Sequence, residues 1–282
     1  MANLRRVTTI TASLLALVAV AVAAPTSAVP TEGAEYVALG DSGAATTGVR
    51  NFDASAPLRC IRSTADTPKL VAQDLGLRLD DRTCSSARIP DLTTSQGPGI
   101  APQFDALGPN TRLVTVHIGA NDALMAEHII ACHATGVLGR ACAGPSWDAD
   151  IDGIAASYST ALRQISTLAP NAKVFVDGWP LYIRDGGCPE VVGLRPSDAV
   201  HVQAAFDRLN TVVARGAAAN GATYVDTRTA SEGHDMCAPV GVRWFDPVLA
   251  TETLLPYHPT PQGMRGVADV IVAAVRASGK LG

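Results

Sequence analysis

Apolar residues in this chain gather in short continuous runs: Tyr36–Leu39, Leu113–Ile118, Lys173–Asp177 and Ala222–Val225, with a weaker one at Leu77–Asp80. Runs of this kind, without polar alternation, predict strands covered on both faces, the situation of a parallel sheet. Between them the spacing changes. Ile151, Ile154, Ala155, Tyr158, Ala161, Leu162, Ile165 and Leu168 recur every three to four residues, which predicts one helix buried along one face. A second helix is expected from Ser197 to Ala219, after Pro196 and before Gly221, and a third from Gly263 to Val275. Strands alternating with helices imply βαβ units with right-handed crossovers, and hence an α/β fold: a three-layer α/β/α sandwich.

The irregular stretches 49–63, 132–147, 179–194 and 230–256 collect glycine, proline and cysteine. They predict ordered loops above the C-terminal edge of the sheet, where open α/β sheets bind their ligands.

The N-terminus follows a different pattern. Arg5 and Arg6 precede the uncharged run Leu14 to Ala24, and Thr26-Ser27-Ala28 supplies the small residues that a signal peptidase accepts. The run is about half of the roughly 20 residues that span a bilayer, so a cleaved secretory signal over residues 1–28 is expected rather than a membrane anchor. Residues 29–282 are then expected to form a single domain of a secreted protein. Loss of the leader takes two arginines and no acid, moving the net charge from −4 to −6. That balance argues against nucleic acid and anionic membrane as partners, and a small or neutral substrate is expected instead, with the protein a monomer.

All six cysteines, Cys60, Cys84, Cys132, Cys142, Cys188 and Cys237, lie beyond the leader. An even number in an exported chain favours disulfides, and none of the spacings matches a zinc finger. Order along the chain suggests Cys60–Cys84, Cys132–Cys142 and Cys188–Cys237 among the 15 connectivities that six cysteines allow.

Three clusters with chemical potential stand where strands give way to loops: Gly40-Asp41-Ser42-Gly43, Gly119-Ala120-Asn121-Asp122 and Tyr257-His258-Pro259-Thr260. A serine hydroxyl needs a neutral imidazole to take its proton, and His258 is the histidine in position for that. The oxyanion formed in acyl transfer needs preplaced donors, for which the Ser42 backbone N–H and the Asn121 side chain are candidates. Asp41 reads as a structural residue of the turn. His117, inside an apolar strand, reads as a hydrogen-bonded core residue, and His128 and His133 belong to a helix and its end. Their spacing of five does not place two imidazoles on one helix face, so no metal site is expected.

Taken in order, these three blocks resemble those of the SGNH hydrolases, the GDSL lipases and esterases. Within that superfamily the chain is most similar to secreted actinobacterial esterases, which share a signal peptide, six paired cysteines and a loop like Gly233-His234-Asp235-Met236-Cys237. The resemblance implies a flavodoxin-like five-stranded parallel sheet and a serine esterase or lipase without cofactor. The substrates it implies are short- to medium-chain acyl or lipid esters. Ser42 is the implied nucleophile, His258 the base and then acid, and Asn121 an oxyanion donor.

Two positions depart from the family pattern. Cys84-Ser85-Ser86-Ala87 carries Ser86 where the family places a glycine whose N–H serves the oxyanion; serine also has that N–H, and Ser86 is the expected donor. Leu255 stands three residues before His258, where many relatives carry an acid. Some secreted relatives use a main-chain carbonyl there, so the Leu255 C=O is the expected partner of the His258 ring N–H, with Asp246 and Glu252 as rivals. The same site would serve a carbohydrate O-acetyl esterase, and from a different class the chain would be a secreted binding protein on a hydrolase-like scaffold.

Overall fold

The computed structural model describes residues 34–45, 51–142 and 146–281. The expected signal peptide lies outside the described residues. Five parallel strands form one sheet: β1 (Tyr36–Gly40), β2 (Leu79–Asp81), β3 (Leu113–His117), β4 (Lys173–Asp177) and β5 (Thr223–Val225), in the order β2-β1-β3-β4-β5. Every residue of β1 and β3 is buried, as their unbroken apolar runs require.

Eight helices connect and cover the strands among the described residues: α1 (Ser42–Ala45), α2 (Thr67–Leu75), α3 (Met125–Val137), α4 (Ser146–Gly153), α5 (Ala155–Leu168), α6 (Pro196–Ala219), α7 (Thr227–Ala230) and α8 (Pro261–Ala277). From β1 the chain moves outward to β2 and then returns past β1 to β3. Right-handed crossovers running in opposite directions put their helices on opposite faces, so α2 packs with α8 and α5 with α6. The reversal opens a crevice between the C-terminal ends of β1 and β3. Ser42 and Asn121 follow those two ends.

Local chemistry accounts for the element limits. Asp66 caps α2 by accepting the Lys69 N–H at 2.9 Å, Pro68 sits in its first turn, and Gly76 ends it in a left-handed conformation (φ 66°). This helix is absent from the periodicity reading because it is short. The helix expected across 151–168 is two helices, interrupted at Ile154 beside Gly153, a residue with low helix propensity. Apolar spacing continues across the break because both pieces pack on α6. The weak strand expected at 77–80 is the half-buried strand β2, shifted to Leu79–Asp81.

Three disulfides join Cys60 to Cys84, Cys132 to Cys142 and Cys188 to Cys237. No helix among the described residues is long and apolar enough to cross a membrane.

Candidate active site

Strand β1 must end in glycine. A Cβ on Gly40 would stand 2.7 Å from the His117 carbonyl oxygen and 3.0 Å from Ala44 Cβ. Gln103 clamps this residue from the side, its Oε1 accepting the Gly40 N–H at 2.8 Å and its Nε2 donating to the Gly40 carbonyl at 2.9 Å. The Asp41 N–H extends the ladder to the His117 carbonyl at 2.9 Å, and Asp41 Oδ1 then accepts the Gly43 N–H at 2.9 Å. This short aspartate turn presents Ser42 at the head of α1, facing the crevice. The Ser42 hydroxyl makes no hydrogen bond among the described residues.

The second wall is the segment after β2. Cys84 donates its N–H to the Gly40 carbonyl at 3.0 Å and is bonded to Cys60, whose carbonyl accepts the Ser85 N–H at 3.1 Å. Ser86 then adopts φ 62°, the left-handed conformation that glycine enters most easily. Serine thus takes on the glycine conformation along with the glycine position. Asn121 Nδ2 donates to the Ala87 carbonyl at 2.9 Å, which leaves its second N–H for a ligand. Asp122 accepts the Ile89 N–H at 3.0 and 3.1 Å and so ties the same segment to the loop after β3. Burial pushes its carboxyl up to about 6 despite that bond.

His258 is carried on a loop pinned to the segment 243–246. The Asp246 and Tyr257 N–H groups donate across it, to the His258 carbonyl at 3.2 Å and the Asp246 carbonyl at 2.8 Å, and Thr260 donates its N–H to the Trp244 carbonyl at 2.9 Å. Thr260 also caps α8 by accepting the Gly263 N–H at 3.1 Å. The ring partner differs from expectation. His258 Nδ1 lies 2.9 Å from the carbonyl of Pro256, whereas the Leu255 carbonyl accepts the Thr253 hydroxyl at 2.7 Å. Tyr257 in a left-handed conformation (φ 61°) turns the chain back on itself, which brings the carbonyl two residues upstream onto the ring.

Neither rival acid reaches the imidazole. Asp246 is fully buried, its Oδ2 accepting the N–H groups of Thr251, Glu252 and Thr253 at 3.1, 2.8 and 2.6 Å and its Oδ1 lying 2.6 Å from Arg243. Glu252 pairs with the same arginine at 3.5 Å. With Nδ1 donating to a carbonyl, Nε2 carries the lone pair that a general base needs. Burial lowers the His258 pKa from its ordinary value, more than the Pro256 carbonyl raises it.

Ser42, Ser86, Asn121 and His258 all line one cleft, whose apolar walls come from Met125, Ala126 and Ile129 of α3, Trp179, Tyr182, Phe206 and Tyr257. Its rear wall depends on two buried polar residues of α6 that the sequence reading passed over. Asn210 clamps Trp179 through N–H to Oδ1 and Nδ2 to carbonyl contacts, each 2.7 Å, and Gln203 Oε1 accepts the Tyr182 and Ile183 N–H groups at 2.9 and 3.1 Å. The available signal was two amides seven residues apart, about two helical turns, on a face otherwise largely apolar. His133, which the sequence places only at the end of a helix, also supports the site. It donates Nδ1–H to the Val192 carbonyl at 2.6 Å and accepts the Tyr257 hydroxyl at Nε2, 2.8 Å away, tying α3 to the residue before His258.

The GDSL-like lipase/acylhydrolase family model matches residues 38–265, a span containing the whole of this geometry. The chain belongs to this family. It is 40% identical to lipase 2 of Streptomyces coelicolor over 94% of this chain and 95% of that protein. Among solved structures, the extracellular lipase of Streptomyces rimosus superposes with a TM-score of 0.72 at 30% identity, covering 86% of this chain and all of that one. The phospholipase A1 of Streptomyces albidoflavus gives 0.69 at 28% identity, covering 86% of this chain and 98% of that one. This GDSL hydrolase is therefore a carboxylic ester hydrolase on a five-stranded parallel α/β scaffold.

Proposed function

We propose that the hydrolase cleaves acyl and lipid esters through an acyl-enzyme on Ser42, with His258 as its base and no carboxylate in the relay. The observation that carries this reading is the His258 tautomer fixed by the Pro256 carbonyl in the cleft that Ser42 shares. In the first half-reaction Ser42 Oγ attacks the ester carbonyl and its proton passes to His258 Nε2, which returns it to the leaving alcohol. Water then enters by the same base and releases the acid. The Ser42 N–H, the Ser86 N–H and the free Asn121 N–H are the assigned donors to the oxyanion.

The lipases and the phospholipase A1 to which the chain is similar, together with the apolar walls from α3, Trp179 and Phe206, favour acyl chains over acetyl groups on sugars. Export with removal of residues 1–28, a single mature domain over 29–282 and a monomeric state complete the proposal. Secretion is supported by three disulfides and by the extracellular S. rimosus relative.

A p-nitrophenyl ester series from acetate to dodecanoate, run on wild type and Ser42→Ala, tests it. Activity extending to butyrate and beyond, lost in the variant, is expected, as is labelling of Ser42 by an organophosphonate. Hydrolysis confined to acetate would transfer the assignment to a carbohydrate O-acetyl esterase. Equal labelling of Ser42→Ala would remove the nucleophile.

A further inference from the structure

We propose that His117 is a positioning residue of the nucleophile turn: held as a cation by Asp177, it offsets the charge of Asp41, the neighbour of Ser42, where the oxyanion forms. The inference rests on the acyl-enzyme reading above and assigns to that site a residue outside the serine, base and oxyanion set.

His117 ends β3, in register with Gly40 of β1, and is buried. Its Nδ1 lies 2.8 Å from Oδ2 of Asp177 at the end of β4, and its ring lies 4.8 Å from that of Trp179 in the cleft wall. The other edge of the imidazole packs on the nucleophile turn: a Cβ on Gly43 would stand 2.8 Å from His117 Cδ2 and closer still to Nε2. Asp41 is also buried. Its Oδ1 is taken by the Gly43 N–H, while Oδ2 has no hydrogen-bond partner among the described residues.

A buried carboxylate oxygen without a partner is costly unless an opposite charge faces it. The charged groups facing His117 are Asp177 from β4 and Asp41 from the turn after β1; Thr67 of α2, Val267 of α8, Tyr182 and Phe245, which line the small space beside it, carry none. Both carboxylates raise its pKa, to about 9, against the effect of burial. Burial raises Asp41, and His117 pulls it back.

The consequence for catalysis follows from Coulomb's law. Negative charge develops on the acyl oxygen next to the Ser42 N–H, one residue from a carboxylate. An unopposed Asp41 would work against that charge in a site where screening is weak. The His117 cation removes the conflict while Asp41 keeps the turn closed through Gly43.

The test compares steady-state hydrolysis of p-nitrophenyl butyrate and thermal unfolding across variants of the full chain. Wild-type turnover and phosphonate labelling of Ser42 are established first, since failure there overturns the esterase reading whatever His117 does. His117→Gln is expected to lower kcat roughly ten- to hundredfold with KM changed less than about threefold. Asp41→Asn placed in that background removes the unopposed charge and is expected to recover most of the loss. Asp177→Asn in that background leaves Asp41 unopposed and is expected to stay slow. In wild type, kcat should fall on an alkaline limb near pH 9, and that limb should be missing from His117→Gln.

A folded His117→Gln with wild-type kcat overturns the proposal, and so does an Asp41→Asn that brings no recovery or an Asp177→Asn that does. Should His117→Gln not fold, nitrogen-15 spectra of the wild-type histidines decide: a neutral His117 ring at pH 7.5 overturns it, and a doubly protonated ring upholds it.

Discussion

His258 Nδ1 is 2.9 Å from the carbonyl oxygen of Pro256, two residues before it in the chain. That contact orients the proposed base through its own loop, without an acid. Because a carbonyl is neutral, it fixes the tautomer but contributes less than a carboxylate to stabilising imidazolium. Burial therefore dominates, and the pKa of the base falls below the ordinary imidazole value of 6.5. The active form is the neutral ring, so kcat/KM should rise with pH through an apparent pKa below 6.5 and be flat at neutrality. A pH–rate profile in the free-enzyme regime checks this; a rising limb with its midpoint above 7 would mean that a carboxylate supports the ring.

Asp246 separates catalysis from stability. Its carboxylate accepts three backbone N–H groups and pairs with Arg243, all within the loop that precedes His258. Asp246→Asn should lose stability, by about 1.5–3 kcal/mol because the buried Arg243 guanidinium then keeps only its longer carboxylate contact, to Glu252, with kcat of the folded fraction within about tenfold of wild type. Glu252→Gln should change both only slightly. A loss of about 10³–10⁴ in kcat from either would identify a triad acid instead.

Tyr257 connects α3 to the base. Its hydroxyl donates to His133 Nε2 while its backbone sits at φ 61°. Tyr257→Phe deletes that bond and should cost about 1 kcal/mol of stability. A several-fold fall in kcat should accompany it, because the left-handed turn that sets the Pro256 carbonyl on the ring loses its tether. Unfolding midpoints and kcat measured on the same preparation test both parts.

Ser86 adopts a glycine conformation at φ 62°. Ser86→Gly should relieve about 1 kcal/mol of backbone strain and keep kcat within a few-fold, since only the main-chain N–H is assigned to the reaction. A large loss of kcat would show that the serine hydroxyl itself takes part.

His117 predicts a pH dependence of stability that is independent of turnover. Its folded pKa, about 9, lies above the unfolded value near 6.5. Between these values the folded state binds more protons than the unfolded one, so stability falls as pH rises. The contribution is complete below about pH 6.5 and gone above about pH 9. Chemical unfolding of wild type should lose stability across that window, and His117→Gln should show a flatter curve.

Much of this architecture was legible in the sequence because strands buried on both faces leave unbroken apolar runs, as at β1 and β3, and because Pro196 and Gly221 bound α6. The serine, asparagine and histidine stood out because each follows a strand or precedes a helix, the places where a chain exposes side chains to a crevice. What escaped depends on contacts between distant segments. Nothing local says that Tyr257 turns the backbone so that Pro256, and not Leu255, meets the ring. The interruption at Ile154 is masked by helices that share one packing partner. Gln203 and Asn210 look like stray polar residues until the loop they clamp is folded against them.

The packing of Gly43 on the imidazole edge has a consequence for how sequence can change here. Any side chain at position 43 must occupy space already filled by a ring that Asp177 and Trp179 hold in place. Substitutions at 43 and 117 are therefore epistatic: a larger residue at 43 is open only to chains in which position 117 has already shrunk, and shrinking 117 leaves Asp41 and Asp177 facing each other. Positions 41, 43, 117 and 177 form a single mutational unit, and random mutagenesis that visits them one at a time should find each of them intolerant while the combination remains accessible.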